Sequence, residues 1–463
     1  MFARTRKKGE CRVRTIPQDA AWLLSRLNEA GYQAYVVGGC VRDALLGREP
    51  ADWDVCTSAT PEEMAQVFAG CHVVETGLKH GTLTVVRAHV PYEVTTFRVE
   101  EGYTDHRHPD RVRFVTDVRE DLARRDFTVN AMAYHPETGL VDAFHGQEDL
   151  AAGVLRCVGD PATRFGEDAL RILRALRFAA VYDFHIEEET ARAAHELAPT
   201  LAQVAAERIR TELGKLLCGK ATARVLRDYA DVIHVILPQT RAMQGFEQHT
   251  PYHRYDVWEH TLRVVEQSPQ EEGVRLAALL HDAGKPRAFT LDAQGVGHAY
   301  GHQAISAELA EEAMARLKMD RATWEDVTTL VARHDIPLPA ERRMMKRRLS
   351  QLGERRLRLL IALQRADALG KGTLDTEAVE TETQARLRLL DELLAEDACV
   401  TLRQLAVNGR DLLAAGLPGG KALGETLQAL LDAVLDERLP NSRQELLAYA
   451  QTLKEAGHAS MEQ

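Results

Sequence analysis

Apolar residues at Trp22, Leu23, Leu24 and Leu27 recur at helical spacing and predict an amphipathic helix over 18–30. The period then shortens. β-Branched and aromatic runs at 34–37, 53–56, 72–75, 82–87, 92–98 and 112–115 predict strands, with helical patterns at 39–46 and 61–68 between them. The first part of the chain therefore reads as an α/β head, a mixed sheet with helices. After about residue 158 the strand signal fades. Amphipathic patterns follow at 168–182, 187–201, 203–218 and 221–236, then helical blocks over about 250–370 and 380–457. The Gly-Leu-Pro-Gly-Gly at 416–420 reads as a turn between helices.

Composition narrows the class. A chain of 463 residues, 45% of them hydrophobic, is long enough for roughly three domains with packed cores. Seven cysteines show no Cys-x-x-Cys pairing, so neither a disulfide framework nor a zinc knuckle is expected, and a reducing compartment is. The basic N-terminus has no apolar stretch behind it, and no apolar run approaches membrane-spanning length. A soluble, cytoplasmic protein with no membrane partner is the expectation. The net charge of −11 argues against an indiscriminate nucleic-acid binder but leaves room for a local basic groove.

Chemistry concentrates at 38–58. Gly38 and Gly39 open a predicted helix, where backbone N–H groups can approach an anion closely. Asp52 and Asp54 are two apart, so on a strand their carboxylates point to one side. Hard oxygen ligands beside a phosphate cradle suit Mg²⁺ bridging protein and triphosphate. A Gly turn with two surface aspartates is the bland reading, which the ordered set Tyr35-Val36-Val37, Gly38-Gly39, Arg42, Asp52 and Asp54 outweighs. On these residues the chain resembles the class II tRNA nucleotidyltransferase/poly(A) polymerase family, whose signature has this Gly-Gly-x-Val-Arg-Asp and Asp-x-Asp layout.

Further segments extend the resemblance. Arg124-Arg125-Asp126-Phe127-Thr128-Val129-Asn130 lies in a helical pattern ending near Tyr134. Alone it is a solvated charge cluster; the resemblance implies that Arg125 contacts phosphate, Asp126 accepts from the ribose hydroxyl and Asn130 supports the site. Asp168 and Arg171 are three apart on one predicted helix, and Arg174 and Arg177 repeat that spacing. An ion-pair ladder or a reader of base edges has this layout. Cytosine and adenine both pair an exocyclic amino donor with a ring-nitrogen acceptor, which an Asp beside an Arg matches. The family uses Glu-Asp-x-x-Arg in that way, which implies a protein template for C and A, with Arg174 and Arg177 stabilising it and reaching phosphate. Glu207-Arg208 matches a segment bracing that helix. Glu93 is either a third metal-side carboxylate or a strand-edge charge. The polar stretch 100–113 resembles a loop used in switching from CTP to ATP.

A second constellation follows the order His260, His281-Asp282, His302, His334, Asp367. A lone helical His is usually a core residue, but a His-Asp pair between Leu279-Leu280 and Gly284-Lys285 needs partners when buried. Imidazole and carboxylate ligands from several helices suit a divalent metal. Over about 250–370 the chain resembles the HD phosphohydrolase superfamily, which implies Ni²⁺, Mn²⁺ or Mg²⁺ held by His260, His281, Asp282 and Asp367, with His302 and His334 completing a second ion. A degenerate, structural domain is the alternative. The run Arg342–Arg348 reads as a solvated helix face, with tRNA backbone contact the lesser reading.

The predicted organisation is a nucleotidyltransferase head at 18–158, a helical neck with the base template at 159–245, an HD domain at 246–372 and a helical tRNA-binding tail at 373–457. The resemblance implies addition of C, C and A to the tRNA 3′ end from CTP and ATP without a nucleic-acid template. A poly(A) polymerase or an enzyme adding only CC or only A is the alternative within the family. An HD-driven phosphohydrolase whose head only binds nucleotide is the alternative from another class.

Overall fold

Alternating apolar residues seat β1 (Ala34–Val37) near the middle of a seven-stranded sheet. The computed structural model describes residues 16–77, 81–102 and 111–459. Within the 100–113 loop, residues 103–110 therefore lie outside the described residues. The chain divides after Pro238 into two units, so the boundaries expected at 158 and 372 each fall inside one of them.

In the first unit, α1 (Gln18–Glu29) buries Ala20, Leu23, Leu24 and Leu27, while Trp22 stays partly open under the Arg87 guanidinium. After β1 come α2 (Gly39–Leu45), β2 (Val55–Thr57), α3 (Pro61–Val67), β3 (His72–Gly77), β4 (Thr82–Arg87) and β5 (Val90–Thr96). A separate ribbon pairs β6 (Arg98–Glu101) with β7 (Arg111–Phe114). Next are α4 (Val118–Ala123), β8 (Ala133–His135) and β9 (Gly139–Val141). The sheet order is β3-β4-β5-β2-β1-β8-β9. Within this sheet, among the described residues, β2 and β5 alone pair in parallel, with Val55 opposite Val94. Val37, Cys56, Phe97, Leu122, Ala131 and Ala133 share one core cluster.

Helices then dominate: α5 (Gly146–Ala152), α6 (Pro161–Glu167), α7 (Leu170–Tyr182), α8 (Glu188–Leu197), α9 (Ala206–Leu217), α10 (Thr222–Asp228) and α11 (Ala230–Ile236). Two short strands, β10 (Val154–Leu155) and β11 (His185–Ile186), pair in parallel among them.

Four expectations are corrected. The helical pattern through Asn130 is broken after Ala123 and returns only as a 3-10 turn at Thr128–Asn130, before Ala133 and Tyr134 pair with Val37 and Val36 as strand. Asp52 and Asp54 precede β2 rather than lying on it. The single helix expected over 168–182 breaks at Asp168, which is extended (φ −149°, ψ 103°) and whose carboxylate accepts from Leu170 N at 3.1 Å, starting α7. The helix expected over 221–236 breaks at Tyr229, whose buried ring stacks on His195.

The second unit is almost wholly helical. It runs α12 (Val257–Gln267), α13 (Glu272–Leu280), α14 (Lys285–Ala288), a hairpin of β12 (Thr290–Leu291) and β13 (Gly297–His298), α15 (His302–Arg316) and α16 (Arg321–Arg333). Then come α17 (Arg342–Gly370), interrupted at Gly353, α18 (Thr376–Ala395), α19 (Gly409–Ala414), α20 (Lys421–Leu435) and α21 (Arg443–Ala459). The Arg342–Arg348 run is an ion-paired face that stays partly open to water, with Arg343 63% exposed. Arg342 pairs with Glu396 and Glu437, Lys346 with Glu437, and Arg343 and Arg347 with Asp436. Hydrogen bonds from Arg347 and Arg343 bring the Asp436 carboxyl down to about 2. Those cations tie α17 to the residues that follow α18 and α20.

Candidate active site and metal centre

The head site forms where β1 ends. Val37 N donates to the Asp54 carbonyl at 3.0 Å and Gly38 N to the Met132 carbonyl at 3.0 Å, so the Gly38 turn lies against the segment carrying Asp54. Gly38 has φ +82°, a conformation L side chains rarely adopt, and an added Cβ would stand 2.8 Å from Arg125 Nη1. The parallel register that sets Val55 opposite Val94 also brings the preceding residues, Asp54 and Glu93, side by side. Burial, then the charges of Asp52 and Glu93, push the Asp54 carboxyl up to about 6. Asp54 thus shares its surroundings with two further carboxylates, hard oxygen donors whose repulsion a divalent cation would relieve. Glu93 thus lies on the strand beside Asp54, near enough for its charge to raise that carboxyl.

Arg125, half-buried behind Gly38, pairs with Asp121 at 3.4 Å, and among the described residues its Nε has no hydrogen-bond partner. Arg42 is 6% exposed and heavily engaged. It donates to the Asn130 side-chain oxygen, to Asp43 at 3.0–3.1 Å and to Tyr182 Oη at 2.7 Å, and it lies over the Phe178 and Tyr182 rings. The arrangement makes Arg42 a clamp joining α2 to α7.

Asp126 is likewise engaged. It accepts from Arg174 at 2.6 and 2.9 Å, from Asn130 Nδ2 at 3.1 Å and from Phe127 N at 2.9 Å. Burial would raise its carboxyl, but Arg174 outweighs that and holds it well below the usual carboxylate range. Asp168 is paired not with Arg171 but with Arg208, at 2.7 and 3.2 Å. Arg171 donates to the Arg164 carbonyl at 3.1 Å and to Glu167. Arg177 pairs with Glu212 at 2.9 Å. The arginine column is real, yet each member has an acidic partner supplied by another segment.

In the second unit the six expected ligands converge. His260 lies on α12; His281 and His334 end α13 and α16; His302 begins α15; Asp367 lies on α17. The Nδ1–H of His281, His302 and His334 each donates to a carbonyl three residues back (Ala278, Ala299 and Val331) at 2.7–2.8 Å. That fixes the ring tautomer and leaves each Nε2 lone pair aimed inward. Asp282 sits between them. Its Oδ2 lies 3.4 and 3.2 Å from Nε2 of His260 and His281, and its Oδ1 lies 3.2 and 3.7 Å from Nε2 of His302 and His334. Asp367 Oδ1 is 3.1 Å from His260 Nε2.

Two three-ligand groups therefore share one carboxylate, His260–His281–Asp282 and Asp282–His302–His334. The turn carrying Asp282 presses close to α15: a Cβ on Gly284 would meet the His302 carbonyl at 2.5 Å. Burial would lower His281, but Asp282 and Asp367 hold it up at about 10, so a proton stands where a cation fits. Lys285 reaches Asp282 at 2.6 Å and Lys371 reaches Asp367 at 3.0 Å. Sequence reasoning passed over both lysines, although each lies three or four residues after a ligand aspartate on helical backbone.

Comparison with known proteins gives the family. The "Poly A polymerase head domain" matches residues 34–156, the "Probable RNA and SrmB- binding site of polymerase A" matches 183–243, and tRNA nucleotidyltransferase domain 2 matches 301–450. The CCA-adding enzyme of Limosilactobacillus fermentum is 35% identical over 96% of this chain and 100% of its own length. That of Leuconostoc mesenteroides is 48% identical, over 46% of this chain and 54% of its own length. The crystal structure of the Bacillus stearothermophilus CCA-adding enzyme in complex with CTP superposes with a TM-score of 0.72 at 28% identity, covering 96% of this chain and all of that one. The Thermotoga maritima CCA-adding enzyme complexed with tRNA shares the fold, with a TM-score of 0.58 at 23% identity over 95% of this chain and 96% of that one. The chain belongs to the CCA-adding enzyme family of nucleotidyltransferases.

Proposed function

We propose that this chain adds C, C and A to the 3′ end of tRNA from CTP and ATP, with Asp52, Asp54 and Glu93 as the carboxylates of the reacting centre. The observation that carries this reading is the crowded carboxylate set beside the Gly38 turn, with Asp54 pushed up to about 6. Mg²⁺ bound there supplies charge neutralisation for the triphosphate and for the attacking 3′ oxygen. The protein's own work is positioning. Gly38 and Gly39 leave the α2 N-terminus open to phosphate, and Arg125 stands behind it as a half-buried positive charge. Asp126, engaged by Arg174 and Asn130, fixes the wall on which a ribose would rest. Asp168 and Arg171 read the base once their present partners, Arg208 and Glu167, give way. The proposed compartment is the cytoplasm, in keeping with six free cysteines among the described residues. Incubation with tRNA lacking its 3′ end, with CTP and ATP separately and together, tests the reading: sequenced products end in CC with CTP alone and in CCA with both. Long A tracts from ATP alone would instead identify a poly(A) polymerase.

The His/Asp centre favours a second activity, metal-dependent hydrolysis of phosphorylated RNA ends or nucleotides. The shared Asp282 carboxylate and the inward-facing imidazole nitrogens support it, and the donor set suits Ni²⁺ or Mn²⁺ at least as well as Mg²⁺. Replacing His281 and Asp282 together by Ala is expected to abolish phosphatase or phosphodiesterase activity while CCA addition persists.

A further inference from the structure

A cleft of about 280 Å³ opens beside His334 and Asp367, and its walls come from two stretches of chain that the sequence reading placed in different domains. One wall is Asp367 and Lys371 at the end of α17; the other is Glu382 and Arg386 on α18. Most of its polar groups are committed. Gln364 Nε2 donates to the His334 and Ile336 carbonyls at 2.9 and 2.8 Å, Arg365 Nε donates to Glu380 at 2.9 Å, and Asp335 accepts from Gln303 at 2.8 Å. Arg386 differs. Its side chain is 15% exposed, its buried Nε has no hydrogen-bond partner among the described residues, and its guanidinium pairs with Glu382, which is 57% exposed. A carboxylate so well hydrated holds a guanidinium weakly, so a phosphate can replace it with little loss. Lys371 is the second cation, 3.0 Å from Asp367 Oδ2, while Asp367 Oδ1 turns toward His260. The remaining lining is apolar: Ile336, Pro337, Leu338 and the exposed Leu374.

Two cations and an apolar wall lining one cleft suit a phosphorylated nucleoside. The volume lies just below the ~300–1,000 Å³ usual for small-molecule sites, which suits one nucleotide and excludes a second. We infer that Arg386 and Lys371 form the phosphate subsite of the His/Asp centre, accepting one terminal nucleotide with its base against Ile336–Leu338. This rests on the reading of the centre as a phosphohydrolase of phosphorylated RNA ends. It also makes α18, from the block expected to be a tRNA-binding tail, a wall of that site. Arg386 is then a specificity-determining residue for it.

Calorimetric titration of the full chain with adenosine 3′-monophosphate in Mn²⁺ tests this, with wild type compared with Arg386→Gln. Nucleotide binding at the head is common to both proteins and cancels in the comparison. The expected result is two sites in wild type, one of them weakened at least tenfold in Arg386→Gln, with Mn²⁺ affinity and thermal midpoint unchanged. KM for hydrolysis should rise by a similar factor with kcat within about twofold. Arg386→Lys, which keeps the charge, should recover part of the binding. Equal binding by wild type and Arg386→Gln would overturn the subsite, as would inorganic phosphate competing as well as the nucleotide. Arg386-dependent nucleotide binding in a protein that takes up no Mn²⁺ would leave the subsite standing and overturn the metal-centre reading alone.

Discussion

The two centres of this molecule meet charge in opposite ways. In the head, Asp52, Asp54 and Glu93 repel one another, and the strain shows in an Asp54 carboxyl pushed up to about 6. In the second unit, Asp282 and Asp367 lie well below the usual carboxylate range, because histidines and lysines outweigh the cost of burying them. An open set of hard oxygens is completed only when a cation and a triphosphate arrive together. The histidine set is already assembled, with the His281, His302 and His334 rings each locked by the carbonyl three residues back. Crowded like charges suit a metal that comes and goes with substrate, whereas a prebuilt set with balanced charge suits a resident one.

The largest expected effect separates the two. Asp54→Ala or Asp52→Ala should lower CCA addition by ~10³-fold or more without lowering the thermal midpoint, each removing a carboxylate proposed to hold the metal in the transition state. His281→Ala with Asp282→Ala should leave addition within about twofold. Loss of addition in that double mutant, measured on truncated tRNA, would show the centres to be one machine.

Within the head, a buried aspartate whose charge is matched should behave unlike Asp54. Asp126→Asn strips Arg174 of its partner and should cost about 3 kcal/mol of stability at neutral pH, read from urea melts. The Asp126 carboxyl is depressed by folding, so its contribution is present above the ordinary carboxylate range and is lost as pH falls below it. Melts of the two proteins should therefore converge in acid. Asp54 has the opposite sign. Its raised carboxyl makes metal-free protein lose stability as pH rises from about 4 through about 6, and saturating Mg²⁺ with nucleotide should flatten that slope.

Metal binding should sharpen the contrast at a similar scale. Mn²⁺ or Ni²⁺ at a hundred times its dissociation constant should stabilise the second unit by about 2.7 kcal/mol. His281→Ala with Asp282→Ala should abolish that gain, and Asp54→Ala should not. The smallest effect concerns base choice: Asp168→Ala should reduce discrimination against UTP and GTP by about 1–3 kcal/mol, read as the ratio of kcat/KM values. Unchanged preference would mean that the pairing of Asp168 with Arg208 is its whole role.

Much of this was legible along the chain because it is local. Alternation gave β1 and β4 with their observed limits, and the order of His and Asp residues marked the six side chains that converge in the second unit. Gly38 was readable because a turn with positive φ admits little else. What the sequence could not yield was pairing between distant segments. Glu93 joined Asp54 only because β2 and β5 run parallel in that register, 39 residues apart in sequence. Asp168 left the expected helix and met Arg208, 40 residues away. Arg386 lines the same cleft as His334 and Asp367 because α18 packs on α17. Spacing along a helix or strand fixes which side chains share a face; which faces meet depends on burying them together, and that only the folded chain decides.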